Sequence, residues 1–355
     1  MKQWKTWTRA SAPVVALLAS FAVSGTAQGQ GKSLTSVKIS APPVIDGKVD
    51  EAWAKAQPLS VALNKTPYEP SDYKGIKKAS VQIRSLYDGE NIYMLLQWED
   101  PTQSLELEPW VKQANGSWKQ KKTEDDTGHN NTAYEDKFAL FWNINASGFG
   151  DKGCAVACHK ARGGRLGKFE DKSPGRKYTN KSGETIDMWH WKGVRSGSVG
   201  QVDDQYVDDT KDPGQNANWG RKNDVATGGG YKPNVSADKK TPAFMAKNPA
   251  EGKYWVLDAD KIPFTDSFKP GDMVGSVVDA PFAGSRGDIS AKATWANGKW
   301  TLEIKRRLVT TGDKVKEQDV QFSDLSKGYD FGVAVFDNSQ INHLYHEGAF
   351  RLVFK

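Results

Sequence analysis

From Ser33 onward, apolar residues alternate with polar ones or gather in short runs, the pattern of strands rather than helices. Val44 to Asp50 reads as a short apolar strand running into a turn. Asp50 to Ala56 follows as one or two helical turns capped by Asp50. Ala79 to Tyr87 alternates, Asp88-Gly89 is a turn signal, and Asn91 to Trp98 is its partner, so 79–98 predicts a hairpin. Phe138 to Ile144 is a further strand. Ala291 to Trp295, Asn297-Gly298 and Trp300 to Ile304 form the clearest hairpin in the chain. Tyr329 to Phe336 and Leu344 to Phe354 complete the set. The stretch 145–290 is different: rich in Gly, Lys, Asp and Pro, it predicts long loops laid over a scaffold. The sum is a mainly β chain. It forms one antiparallel β-sandwich with strands from 33–144 and 291–355 and a long, irregular, loop-rich insertion at about 145–290. A second domain beginning near 145 would leave the C-terminal strands without partners.

The N-terminus adds a compartment. Lys2, Lys5 and Arg9 precede the apolar run Ala12 to Val23, and Ser24 to Ala27 are small, which is the order of a secretory signal over residues 1–27. The mature domain then spans 28–355. Its charge is milder than the whole chain's +6, because the leader carries three bases and no acids; 46 bases face 43 acids, a net of +3. That balance argues against nucleic-acid binding. No apolar run reaches the ~18–20 residues of a membrane-spanning helix. Export to the periplasm also places the cysteines where covalent thiol chemistry is allowed.

There are only 2 Cys and 5 His among 355 residues. Both Cys fall in Gly153-Cys154-Ala155-Val156-Ala157-Cys158-His159. In c-type haem attachment two thiols add to the haem vinyl groups, and the His directly after the second Cys ligates iron. The usual spacing is C-x-x-C-H; here it is C-x-x-x-C-H, and the extra residue can bulge outward. Three other readings stand beside it. A disulfide between Cys154 and Cys158 closes a small loop and stabilises little. Zinc would need a distant fourth ligand. A redox thiol pair usually shows C-x-x-C.

An electron-carrying haem takes a second axial ligand, usually His or Met. His346, sharing strand parity with Phe350, Leu352 and Phe354, is the first candidate, followed by His190 and then His343. Trp189 and Trp191 flank His190 as candidates to pack the haem. His129 sits in a polar loop and reads as exposed. Met188 and Met94 are possible sulfur ligands, though Met in a strand is more often core.

Several segments together resemble a known family. They are Pro43 to Gly47 with Asp50 to Trp53, Ile92 to Pro101, Glu135 to Trp142, Met188 to Lys192, Trp300 to Ile304 with Arg306-Arg307, and Val333 to Asn338. In this order they resemble the haem-binding gamma subunit of ethylbenzene dehydrogenase and related DMSO-reductase-type enzymes, including the branch that carries c-type haem. The resemblance implies a sandwich related to carbohydrate-binding and DOMON-like modules, with one haem held at its edge. In the gamma subunits the haem is non-covalent, with Met and Lys as ligands. This chain carries Cys154 to His159 where that Met would lie, and the C-terminal ligand position falls near His343 to His346. That implies His159 and His346 as the axial, metal-binding pair.

The leading functional expectation is an exported monohaem c-type cytochrome. It would carry single electrons between an oxidoreductase partner and a respiratory chain, and would not itself be an enzyme. The alternatives are a haem subunit of a molybdenum enzyme fed by an iron–sulfur subunit, a haem-free carbohydrate- or ligand-binding module, and a haem-based sensor. No nucleophile elbow, H-E-x-x-H or phosphate loop is present. Asp203-Asp204 with Asp208-Asp209 could bind calcium, but reads first as a solvated loop. Lys119 to Lys122 reads as a solvated face.

Overall fold

The computed structural model of the protein describes residues 33–68, 73–125, 128–158, 176–212, 214–249 and 252–355. The expected leader and His159 lie outside the described residues. The main sheet has thirteen strands. In chain order they are β1 (Ser33–Lys38), β2 (Leu59–Leu63), β3 (Ala79–Tyr87), β4 (Asn91–Glu99), β5 (Lys137–Asn143), β6 (Ile186–Lys192), β7 (Asp203–Val207), β8 (Arg221–Asn223), β9 (Ser290–Ala296), β10 (Lys299–Arg307), β11 (Tyr329–Phe336), β12 (Leu344–Tyr345) and β13 (Phe350–Phe354).

Hydrogen bonds run in the order β8-β7-β6-β5-β11-β13-β1-β3-β4-β10-β9, with β2 beside β3 and β12 beside β11. Every pairing is antiparallel except those of β1, which runs parallel to both β13 and β3. One continuous strip thus folds back on itself. Trp98, Trp300 and Leu302 from one half meet Leu140, Trp142, Trp189 and Phe331 from the other in a single core. The far edges nearly close. The Val202 N–H donates to the Ile289 carbonyl at 3.0 Å and the Ala291 N–H to the Gly200 carbonyl at 2.8 Å, so little open edge is left there.

The mainly β, antiparallel sandwich is what the alternation predicts. The β9–β10 turn places Asn297 and Gly298 at φ 52° and 73°, the left-handed pair a two-residue hairpin turn requires. Asp50 accepts from the Ala52 N–H at 2.9 Å and caps the short 3-10 helix Glu51–Lys55. Two expectations differ. Val44 to Asp50 forms no strand; Val44 is exposed, and the turn is held instead by Glu303, which accepts from the Asp46 and Gly47 N–H groups. The stretch 145–290 is not irregular throughout. It supplies β6, β7 and β8 to the main sheet and holds smaller sheets of its own, among them Ala226–Pro233 against Val277–Gly284. No helix among the described residues is long and apolar enough to cross a membrane.

The core also contains charge. Arg306 continues the inward row Trp300, Leu302, Ile304 of β10 and is buried. Its guanidinium lies 3.7 Å from Asp187 and 3.2 Å from Asp319, donates to the Val320 carbonyl at 2.9 Å and sits over the Trp189 ring. Burial pushes the Asp187 carboxyl up to about 8 against the opposing pull of Arg306. Removing the guanidinium would strand buried acids, which costs about 3–5 kcal/mol. Arg306→Met is expected to lower the urea unfolding midpoint accordingly; a midpoint equal to the parent's would contradict this role.

Candidate functional site

Strands β5 and β6 are buried on both faces. Because successive side chains point oppositely, each strand divides into two sets. Phe138, Leu140 and Trp142 of β5, Trp189 and Trp191 of β6, and Phe331, Val333 and Val335 of β11 face the main core. The other face carries a different chemistry. One row across the strands reads Gly332, Phe141, Met188, Gln205; the next reads Ala334, Ala139, His190, Asp203; the third reads Phe336, Lys137, Lys192. Two alanines beside a histidine make a shallow floor.

The Cys segment covers one end of this face. After the short helix Phe149–Lys152, a 3-10 turn over Gly153–Val156 brings Cys154 and Cys158 into an apolar cluster with Phe141, Ile186, Met188 and Val207. The four-residue spacing closes one turn, with the Cys158 N–H donating to the Cys154 carbonyl at 2.9 Å, so both thiols reach the same cavity. One glycine permits this. Gly153 has φ 58°, and a Cβ there would collide with the Gly348 carbonyl at 1.8 Å. No disulfide joins the two cysteines. Burial pushes the Cys154 thiol far above its ordinary value and keeps it neutral.

Between this segment, the sheet and the loops at 129–134, 176–177, 217–221 and 340–343 lies a cavity of about 250 Å³, far more than one ordered water fills. Cys154, Cys158, Met188, His190 and His343 line it, together with the bases Lys137, Arg176, Lys177, Lys192, Arg195 and Arg221. Asp203 pairs with Lys192 and Arg286, and Glu135 pairs with Arg195. Lys137 and Arg221 make no ion pair among the described residues. The Lys137 ammonium donates to the Ser339 and Gln340 carbonyls, at 2.5 and 2.9 Å, and lies over the Tyr134 and Phe336 rings. Burial pushes its ammonium well below the ordinary value, and Arg195 adds to this. The lining therefore favours an anion.

His190 is held for ligation. Gln205 donates its amide to Asn223, which turns the Gln205 carbonyl oxygen to His190 Nδ1 at 3.2 Å. Nδ1 must then carry the proton, and the lone pair sits on Nε2, which is buried without a hydrogen-bond partner. Burial pushes this imidazole well below its usual value, and Lys192, Lys137 and Arg221 add to the effect, so the ring is neutral. His343 donates from Nδ1 to the Ile341 carbonyl at 2.7 Å and stacks on Phe336.

The sequence ordering of these residues changes. His346, the first candidate, does not line the cavity; its Nε2 accepts the Val333 N–H at 3.0 Å and its ring packs on Phe350. The chain leaves the strand between 346 and 349, so parity counted back from Phe350 fails there. Trp189 and Trp191 do not pack against the cavity either. They alternate with His190 and therefore face the core. His129, expected to be exposed, is half-buried at the cavity wall. Asp203 and Asp204 are no solvated loop but buried residues of β7. The cationic lining went unread because its residues come from separate loops and strands.

A family model described as ethylbenzene dehydrogenase matches residues 50–348. The chain belongs to that family. The match runs through the sheet, the Cys segment and the 340–343 loop, so the whole cavity falls within the ethylbenzene dehydrogenase region. Over 123 residues, 33% of this chain, it is 29% identical to endo-1,4-beta-xylanase A of Thermotoga neapolitana. It spans 10% of that protein's length. A family 9 carbohydrate-binding module from Caldicellulosiruptor kristjanssonii, solved with glucose, is similar at TM-score 0.32 and 10% identity, over 91% of this chain and 95% of that one. Its cellotriose complex gives TM-score 0.33 and 11% identity, over 91% and 93%.

The structural role of His346 has a pH signature. Burial pushes its imidazole down to about 4, although its bond to the Glu347 carbonyl pulls the other way. The unfolded chain takes up that proton near pH 6.5 and the folded chain does not, so stability falls as pH drops from 6.5 towards 4. At about 1.4 kcal/mol per unit, this one residue accounts for roughly 3 kcal/mol of acid destabilisation. Urea titrations at pH 7 and pH 4.5 should show a smaller loss in His346→Gln than in the parent. Equal losses would remove His346 from the account.

Proposed function

We propose that this chain is an exported, periplasmic monohaem c-type cytochrome, an electron carrier rather than an enzyme. Cys154 and Cys158 would hold one haem by thioether bonds, His159 would be the proximal ligand, and His190 the distal ligand, with His343 second. The observation that carries the reading is the donor set: both cysteines of the chain and a neutral imidazole with an unpartnered Nε2 meet in one cavity. The rest of the lining suits the same group. The floor of Ala139 and Ala334 leaves space for a planar ring, and Arg221 is placed to neutralise its carboxylates. Bound there, the haem would supply one-electron oxidation and reduction.

The protein's own part is positional. Gln205 holds the tautomer of His190, the Cys154–Cys158 turn fixes one edge of the site, and the loops around it limit water. Family membership supports a haem-related subunit of an oxidoreductase, so a molybdenum or iron–sulfur enzyme is the redox partner to look for.

The test is spectroscopic. After co-expression with the haem-attachment machinery, a pyridine haemochrome spectrum of the c type is expected; its absence would overturn the reading in favour of a haem-free ligand-binding or carbohydrate-binding module. In the haem-loaded protein, His190→Ala should convert low-spin absorption to high-spin. His346→Ala should leave the spectrum low-spin and lower the melting temperature. A low-spin spectrum surviving His190→Ala moves the distal role to His343.

A further inference from the structure

Among the described residues the interior holds two triads of buried carboxylates, and they differ in one respect. Asp187, Asp204 and Asp319 form the first, and Arg306 is the cation among them. Asp100, Asp136 and Asp337 form the second, with one ligand oxygen from each lying within 4.8 Å of the others. No lysine or arginine pairs with any of the three among the described residues. Lys137 follows Asp136 directly, but its ammonium is turned to the cavity side, towards Ser339 and Gln340.

The second triad sits where three core strands end. Asp100 follows β4, Asp136 precedes β5 and Asp337 follows β11. All are buried, with Asp100 and Asp136 at 0% exposure and Asp337 at 3%. Some of their oxygens are used locally. Asp136 accepts from the Ser104 and Asn338 N–H groups and from Trp300 Nε1, at 2.8, 2.9 and 3.2 Å. Asp100 Oδ1 accepts from the Thr102 N–H at 3.1 Å and Asp337 Oδ2 from the Ile76 N–H at 2.8 Å. Two oxygens remain: Asp100 Oδ2 and Asp337 Oδ1 are buried with no hydrogen-bond partner. A buried carboxylate oxygen left unpaired is costly, and two of them beside a third acid are more so. Burial pushes all three carboxyls up; repulsion from Asp337 adds to this at Asp100, which reaches about 7, and repulsion from Asp100 and Asp337 adds to it at Asp136. The hydroxyl of the half-buried Tyr73 nearby is pushed up by burial and by the same three acids, which marks a strongly negative spot.

We propose that Asp100, Asp136 and Asp337 bind one hard divalent cation, of the calcium class, that ties the ends of β4, β5 and β11 together. An all-oxygen, acid-rich donor set selects such an ion over zinc or copper. The ion would do for this triad what Arg306 does for the other. It would also brace the segment after Asp337, which carries the cavity residues Gln340, Ile341 and His343. The competing state is a triad kept neutral by protons, which takes no metal.

The site does not depend on haem and can be read with or without it. The full chain is stripped with EGTA, dialysed and titrated with calcium chloride alone, then with magnesium chloride, by calorimetry and thermal melting. Calcium should bind at one equivalent and raise the melting temperature in a saturable way, and more strongly than magnesium. Asp100→Asn/Asp337→Asn should lose the response, while its stripped form melts at or above the stripped parent because repulsion has been removed. Asp204→Asn, in the triad that already holds Arg306, should keep it. No calcium heat and no thermal shift in the parent would overturn the proposal, whatever the variants do. So would a response that survives in the double variant.

Discussion

The two faces of β5 and β6 meet opposite demands. Both are buried, so the side chains on each must find partners other than water. On the inner face Trp142, Trp189 and Trp191 pack against the opposite half of the sandwich, which is ordinary core burial. On the outer face the same strands present Ala139, His190, Lys137 and Lys192, a set that no apolar layer could satisfy. Polar groups taken from water at this depth need hydrogen bonds or charge partners. Gln205 serves His190, Asp203 serves Lys192, and backbone carbonyls serve Lys137. The buried outer face thus dictates the cavity, its charge and the neutral state of its imidazole.

Charge inside the fold follows the same rule at other points. Asp187 and Asp319 are tolerable because Arg306 lies between them. Glu303 is held by Trp53 and by two backbone N–H groups, and so pins the 3-10 helix and the 46–47 turn to β10. These contacts explain why Trp-rich strands carry acids and bases in their interiors: each charged residue joins two segments that are distant in sequence.

Hairpins were legible in the sequence where alternation ended in a turn with its own chemistry. Asp88-Gly89 and Asn297-Gly298 placed β3–β4 within a residue and the β9–β10 turn correctly, although β10 runs three residues past Ile304. The strand Ile186–Lys192 was hidden. Both of its faces are buried and each mixes apolar with charged residues, so its apolar–polar alternation breaks at Met188-Trp189, and it lies in a stretch whose Gly, Lys, Asp and Pro read as loop. Without recognising it as a strand, Trp189 and Trp191 could not be separated from His190, although a period of two does so at once. The cysteine pair was legible because so few thiols were available; the bases around it were not, because no spacing links Lys137, Arg195 and Arg221. His346 was misplaced for a local reason. The chain bends between β12 and β13, and a histidine in that bend serves the Val333 N–H.

The central claim is that the outer face of β5, β6 and β11 is built around a group joined covalently to Cys154 and Cys158. Peptide mass spectrometry of the protein, denatured, treated with a thiol-alkylating reagent and digested, tests it most directly. The account predicts that the peptide containing Cys154 and Cys158 carries the added mass of one haem and no alkyl group. Recovery of that peptide with both thiols alkylated, from protein made in cells that attach haem, would contradict it.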